Sequence, residues 1–113
     1  GAAVAEEQAK KTRVAVQNGT TFPGLASRTA ELLQNLSYQV TEVGNAPRRD
    51  YEKTVIYGLG KNDTSHDAAL QTLKKELNAN IAPTLPNYIK APAADDLIIV
   101  GKDSIPNDSL SLL

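Results

Sequence analysis

A chain of 113 residues has room for one ordinary domain and not for two. Its formal net charge of -1 argues against a nucleic-acid binder that works by neutralising many phosphates. The lack of any cysteine removes disulfides, thiolate nucleophiles and thiolate metal sites. Hydrophobic residues at 41% and charged residues at 22% fit a globular protein. With one Phe, four Tyr and no Trp, the core must come from Leu, Val, Ile and Ala. Absence of Cys suits the cytoplasm and equally the outside of a bacterium that uses few disulfides. No apolar run approaches the roughly 20 residues of a membrane helix, and no signal peptide is visible. Gly1 reads as a residue left by tag cleavage, so an anchor or signal removed with the preceding chain is compatible with the sequence.

Residues 1–11, rich in Ala, Glu, Gln and Lys, read as a linker or N-terminal extension. The domain is expected over 12–104 and a flexible Ser/Asn/Asp-rich tail over 105–113. A first strand covers 13–17, with Val14 and Val16 on one face. A turn through Asn18, Gly19, Thr20, Pro23 and Gly24 leads to a helix over 24–37, whose stripe is Leu25, Thr29, Leu32, Leu33 and Leu36. A second strand follows over 38–43 and ends at the Gly44-Asn45-Ala46-Pro47 break. The polar loop with Arg48 and Arg49 leads to a third strand over 54–57, ended by Gly58-Leu59-Gly60. Asp63, Thr64 and Ser65 are N-cap candidates for a second helix over 65–77, with Ala69, Leu70, Leu73 and Leu77 as its stripe. The segment 78–94 holds Pro83, Pro86 and Pro92 and has room for one short strand, near Ile81 or near Tyr88-Ile89. A last strand, Leu97-Ile98-Ile99-Val100, is continuously apolar, as a central or doubly covered strand would be.

The order β-α-β-β-α-β, read as two β-α-β halves joined by a hairpin, predicts an α+β two-layer sandwich of the ferredoxin-like kind. An open two-layer or three-layer α/β arrangement with another strand order is the alternative.

The strand–glycine–helix opening invites a phosphate-site reading, but Gly19 and Gly24 lack the spacing of a dinucleotide fingerprint and no Gly-Lys-Ser/Thr follows. Two readings remain. In the favoured one the turn is a connection: Gly19 supplies a positive φ, Pro23-Gly24 starts the helix and the Asn18 side chain orders the turn. In the other, Asn18, Gly19, Thr20, Gly24 and Leu25 meet an anion or sugar hydroxyl at the helix start. The Gly58-Leu59-Gly60 turn is the second place to look for a ligand. His66 is the sole histidine; without a Gly-x-Ser-x-Gly motif or further ligands it supports neither a triad nor a zinc site. Asp95, Asp96 and Asp103 read as surface carboxylates, and Arg48-Arg49 as solvated loop charges that could grip a carboxylate or phosphate. Four Asn-x-Ser/Thr matches, at Asn18, Asn35, Asn62 and Asn107, carry no function. No catalytic set, metal site or cofactor is expected.

"VAVQNGTTFPGLASRTAELLQNLSYQVTEVGNA" resembles the opening of the LytR C-terminal domain family: an apolar strand, Asn-Gly-Thr, a Gly-Leu-Ala turn into a helix, and a strand ending in Gly-Asn-Ala. "TVIYGLGKNDTSHDAALQTLKKEL" and "DDLIIVGKDS" are similar to its later strand–turn–helix and its closing strand. The likeness covers residues 12–104 and departs at 80–94, which is longer and richer in proline than the family pattern. It implies a non-catalytic accessory or binding domain of a bacterial cell-envelope protein, outside the membrane and anchored in the full-length protein. The implied partner is cell-wall glycan or glycopolymer, or a cell-envelope protein, and not nucleic acid. Sugar sites favour stacking rings, and only Tyr38, Tyr51, Tyr57 and Tyr88 could supply them. A self-associating or protein-binding module is the alternative, and a small hydrolase ranks last.

Overall fold

A computed structural model describes residues 12–59, 64–82 and 84–105. The expected extension at 1–11 and all but Ile105 of the expected tail lie outside those residues. In chain order the elements are β1 (Arg13–Asn18), α1 (Leu25–Asn35), β2 (Gln39–Asn45), β3 (Val55–Gly58), α2 (Thr64–Leu77), β4 (Asn80–Ala82), β5 (Asp96–Val100) and a 3-10 turn (Lys102–Ser104).

The five strands form one sheet in the order β2-β1-β5-β3-β4. Two parallel β-α-β units, β1-α1-β2 and β3-α2-β4, take the two sides. β5 joins them, parallel to β1 and antiparallel to β3. The architecture is α+β, with a mixed sheet and two helices, but the split β-α-β order of a ferredoxin-like sandwich is not adopted. β2 and β3 form no hairpin, because β1 and β5 lie between them. The burial pattern explains the choice. Every residue of β5 is buried, which requires neighbours on both edges and cover on both faces, whereas six of the seven residues of β2 are exposed, which suits an edge.

Both helices cover one face. Val14, Val16, Ile56, Ile98 and Val100 point into a core with Leu25, Ala26, Ala30 and Leu33 of α1 and Leu73 of α2. The buried face of α1 is turned from the expected stripe: Ala26 and Ala30 are inside and Leu32 is 43% exposed, because alanines let the helix lie close to the sheet. The opposite face carries Ala15, Leu97, Ile99 and Tyr57, and among the described residues no helix covers it. Loops do instead: Ala46 and Tyr51 from one, Leu85, Ile89 and Ala94 from another. The short strand expected in the proline-rich segment forms at Ile81, and Tyr88-Ile89 turns back through an Ile89 amide bond to the Pro86 carbonyl (3.1 Å).

β2 carries a bulge. Val14 pairs with Val40 but Ala15 with Glu42, leaving Thr41 as the extra residue, its hydroxyl donating to the Val14 carbonyl (3.4 Å).

Candidate functional site: a clamped arginine–tyrosine loop

β1 ends in Asn18, which is 3% exposed. Its side-chain oxygen accepts from the Thr20 amide (2.9 Å) and the Thr20 hydroxyl (2.8 Å), and its amide nitrogen donates to the Phe22 carbonyl (2.7 Å). The Phe22 amide returns to the Thr20 hydroxyl (3.1 Å). Asn and Thr are the residue types whose short polar side chains can replace backbone partners in a turn. Here they saturate one another.

Of the five residues named as possible ligand contacts, Asn18, Gly19, Thr20 and Leu25 are buried and Gly24 is exposed. Gly24 caps α1 with φ 83 and no side-chain cap. The positive φ expected at Gly19 therefore belongs to Gly24. Gly19 is required for space: a Cβ there would lie 2.7 Å from Ile99 Cγ2 and 2.8 Å from Tyr51 Cδ1. The Gly58 turn is far from this one. β1 and β3 flank β5 in opposite directions, so Asn18 lies level with Val100 and Gly58 with Asp96, at opposite ends of the sheet.

The backbone of the turn reaches outward to the loop 46–54. The Ala46 amide donates to the Asn18 carbonyl (3.0 Å) and the Tyr51 amide to the Gly19 carbonyl (2.9 Å). Arg49 Nε donates to the Thr20 carbonyl. The chain after β5 grips the far end of the same loop. The Lys102 amide donates to the Tyr51 carbonyl (2.9 Å) and the Asp103 amide to the Glu52 carbonyl (3.1 Å). Asp103 Oδ1 accepts from both the amide (3.0 Å) and the hydroxyl (2.8 Å) of buried Thr54, whose oxygen accepts from the Gly101 amide (3.1 Å). Gly101 packs so tightly that a Cβ would stand 2.4 Å from the Lys53 carbonyl carbon.

What this double clamp presents is aromatic and basic. The guanidinium of Arg48 lies over the Tyr88 ring, 4.1 Å from its centre. The Tyr51 and Tyr88 hydroxyls are 3.1 Å apart, and buried Tyr57 belongs to the apolar cluster against which Tyr51 packs. Burial, reinforced by the neighbouring Tyr88 and Tyr57 hydroxyls, pushes the Tyr51 phenol well above its ordinary range, so it stays protonated. Three of the four tyrosines thus converge. The fourth, Tyr38, is buried under the helices, where desolvation, helped by the Glu76 and Asp96 charges, raises it to about 12.

The acidic residues read as surface groups prove structural. Asp95 is 6% exposed; its carboxylate accepts from the Arg13 amide (2.9 Å) and lies 3.7 Å from the Arg13 guanidinium, and Asp96 is fully buried at the start of β5. His66 lies in the first turn of α2, and its side chain is outside the described residues, as is Gly60. Among the described residues no three His, Cys, Asp or Glu side chains could hold a metal ion together. Sequence reading missed the pairing of Arg48 and Tyr51 with Tyr88, since it joins distant loops. Its only local signal is a tyrosine placed in a proline-rich, polar segment.

No curated protein matches the chain. Among solved structures, the soluble domain (residues 71–217) of a conserved hypothetical secreted protein from Mycobacterium marinum aligns with a TM-score of 0.58 at 19% identity, over 91% of this chain and 70% of that one. The C-terminal domain of RV0431, determined in solution, aligns with a TM-score of 0.55 at 27% identity, over 80% of this chain and 71% of that one. Both share the fold. The family profile described as LytR cell envelope-related transcriptional attenuator matches residues 11–103, from two residues before β1 to the Asp103 clamp. The chain therefore belongs to the LytR C-terminal domain family.

Proposed function

We propose that this is a non-catalytic, extracytoplasmic accessory domain of a cell-envelope protein, and that it holds cell-wall glycan or glycopolymer for a neighbouring catalytic domain. Membership of a cell-envelope family supports the setting, and the fold shared with a domain of a secreted protein agrees with it. The observation that carries the binding role is the clamp. The backbone carbonyls of Asn18, Gly19 and Thr20 on one side and the Asp103–Thr54 bonds on the other hold the loop 46–54, and that loop with Tyr88 offers rings, hydroxyls and guanidinium groups at the surface. A rigid platform of this kind binds; nothing in it forms a nucleophile–base pair.

Amide-shift titration of the isotope-labelled domain with purified peptidoglycan fragments, and separately with wall glycopolymer, tests the reading. Saturable shifts support it. Shifts centred on Gly24 and the start of α1 place the contact at the first turn, and a flat titration of a folded sample refutes glycan binding.

A protein partner is the second reading, favoured by the exposed outer edge of β2. A solution mass that rises with concentration would support self-association through that edge.

A further inference from the structure

The geometry points to a specific site within that binding role: Arg48, Arg49, Tyr51 and Tyr88 form a cradle for an anionic saccharide, one bearing phosphate or carboxylate groups. This rests on the reading of the domain as a glycan binder and names where and through what chemistry it would bind.

Four observations carry it. First, both arginines are held in place without a carboxylate. Arg48 is stacked on Tyr88 and Arg49 is tied through Nε to the Thr20 carbonyl. The ion pairs of the described residues join Arg13 to Asp95, Lys53 to Asp103 and Lys102 to Glu52, and neither Arg48 nor Arg49 takes part in one. Stacking uses the face of a guanidinium and leaves its N–H edges outward, the arrangement that grips a phosphate or carboxylate in bidentate fashion.

Second, the hydroxyl pair Tyr51–Tyr88 ends in solvent. Two hydroxyls joined by one bond leave one O–H over. Tyr51 is half-buried and Tyr88 is 42% exposed, so the pair opens outward at Tyr88. A neutral donor and acceptor beside a cation suits a sugar hydroxyl next to an anionic group.

Third, the neighbouring charges of the loop are already matched. Glu52 pairs with Lys102 (3.2 Å) and Lys53 with Asp103 (3.8 Å), leaving Arg48 and Arg49 against one exposed carboxylate, Asp50. Fourth, the loop is fixed from both ends by the turn after β1 and the turn after β5, so an arriving ligand need not order it.

The test is affinity of the whole chain for three probes: a poly(glycerol phosphate), a polyuronate and neutral dextran. Wild type is expected to bind one or both anionic polymers, more weakly as salt is added, and dextran poorly. The poly(glycerol phosphate) and polyuronate arms separate a phosphate ligand from a carboxylate one. Arg48→Gln and Arg49→Gln are each expected to weaken binding on the order of tenfold, the loss of one charge-assisted contact. Tyr88→Ala should do the same by releasing Arg48, and Tyr88→Phe should have a smaller effect. Asp50→Asn should strengthen binding. Unchanged thermal unfolding of each variant shows that the fold is intact. Unaltered affinity in both arginine variants, with wild type binding a polymer, overturns this site and leaves the glycan reading standing. Wild type that ignores all three probes, and peptidoglycan fragments as well, overturns both.

Discussion

Gly101→Ala gives the sharpest test of how the loop is clamped. The added Cβ would stand 2.4 Å from the carbonyl carbon, 2.6 Å from the oxygen and 2.7 Å from the nitrogen of Lys53. These are backbone atoms, so no rotamer change relieves the contact. Either β5 and the segment before β3 separate, which stretches the Gly101 amide bond to Thr54 (3.1 Å), or the Lys53 peptide shifts and disturbs Tyr51 and Thr54 on either side. Overpacking against yielding side chains costs about 1–3 kcal/mol, and against backbone the cost should reach about 3 kcal/mol or more. For a domain of this size that lowers Tm by about 12–24 °C. Gly24→Ala is the control. Nothing lies within 4 Å of a Cβ there, and its demand comes from φ +83 alone, which costs about 1–2 kcal/mol. Asparagine separates the two causes. It tolerates the left-handed region, so Gly24→Asn should recover most of the loss at that position, while Gly101→Asn should be no better than Gly101→Ala. Circular-dichroism melting of the four variants, with amide spectra to follow residues 46–54, is sufficient. The close-approach reasoning is refuted if Gly101→Ala melts no lower than Gly24→Ala, or if Asn rescues at 101 as it does at 24.

Thr54→Val keeps the shape of the side chain but removes the oxygen that accepts from the buried Gly101 amide; the urea midpoint should fall by the equivalent of about 1–3 kcal/mol, with Thr54→Ser losing less. The Tyr38 hydroxyl titrates near 10 when unfolded and at about 12 when folded. The folded state therefore holds its proton longer, its stabilisation is complete below pH 10, and about 2–3 kcal/mol is lost as pH rises from 10 through 12; Tyr38→Phe should flatten that loss, and an unchanged alkaline slope would contradict it. Asn18-Gly19 is a deamidation-prone dipeptide, since the Gly19 nitrogen can attack the Asn18 side-chain carbonyl. In the fold that nitrogen donates to the Val100 carbonyl (2.9 Å) and the side-chain oxygen is held by Thr20. Peptide mapping after incubation should find isoaspartate at Asn18 in denaturant and little in buffer, and equal yields would show that the turn opens freely.

The elements were legible because each rests on local chemistry. The alternation of Val14 and Val16 and the unbroken apolar run of β5 mark strands in any context, and Leu73 and Leu77 mark the inner face of α2. The strand order was not legible, since it depends on where β5 inserts and only the competition among all strands for burial decides that. The same limit explains α1. Leu25 and Leu33 of the expected stripe are in the core, but Ala26 and Ala30 join them and Leu32 does not, because the helix can approach the sheet closely through the alanines, which is a property of the pair of surfaces and not of the helix. Asp95 and Asp96 looked solvated for a related reason: a carboxylate beside a strand end is normally wet, and here loops and the Arg13 backbone close over it.

The site followed a different rule. Asn18-Gly19-Thr20 stands out in the sequence because its residue types are those of a tight turn before a helix, and such a turn invites a ligand, whereas nothing marked the Gly101–Ser104 turn. In the structure the Asn18 and Thr20 side chains bond to each other, Asp103 bonds to Thr54, and Gly19 and Gly101 leave room for Tyr51 and Lys53, so the constraint on both turns is support of the loop between them. Arg48 and Tyr88 carry no such local constraint. An exposed arginine or tyrosine can be replaced without unfolding the chain, so sequence grammar does not mark it, yet these are the groups left facing solvent with unspent hydrogen-bonding capacity. In a domain built this way, substitutions in the conspicuous motifs should reduce stability and binding together, while substitutions at Arg48 or Tyr88 should reduce binding alone.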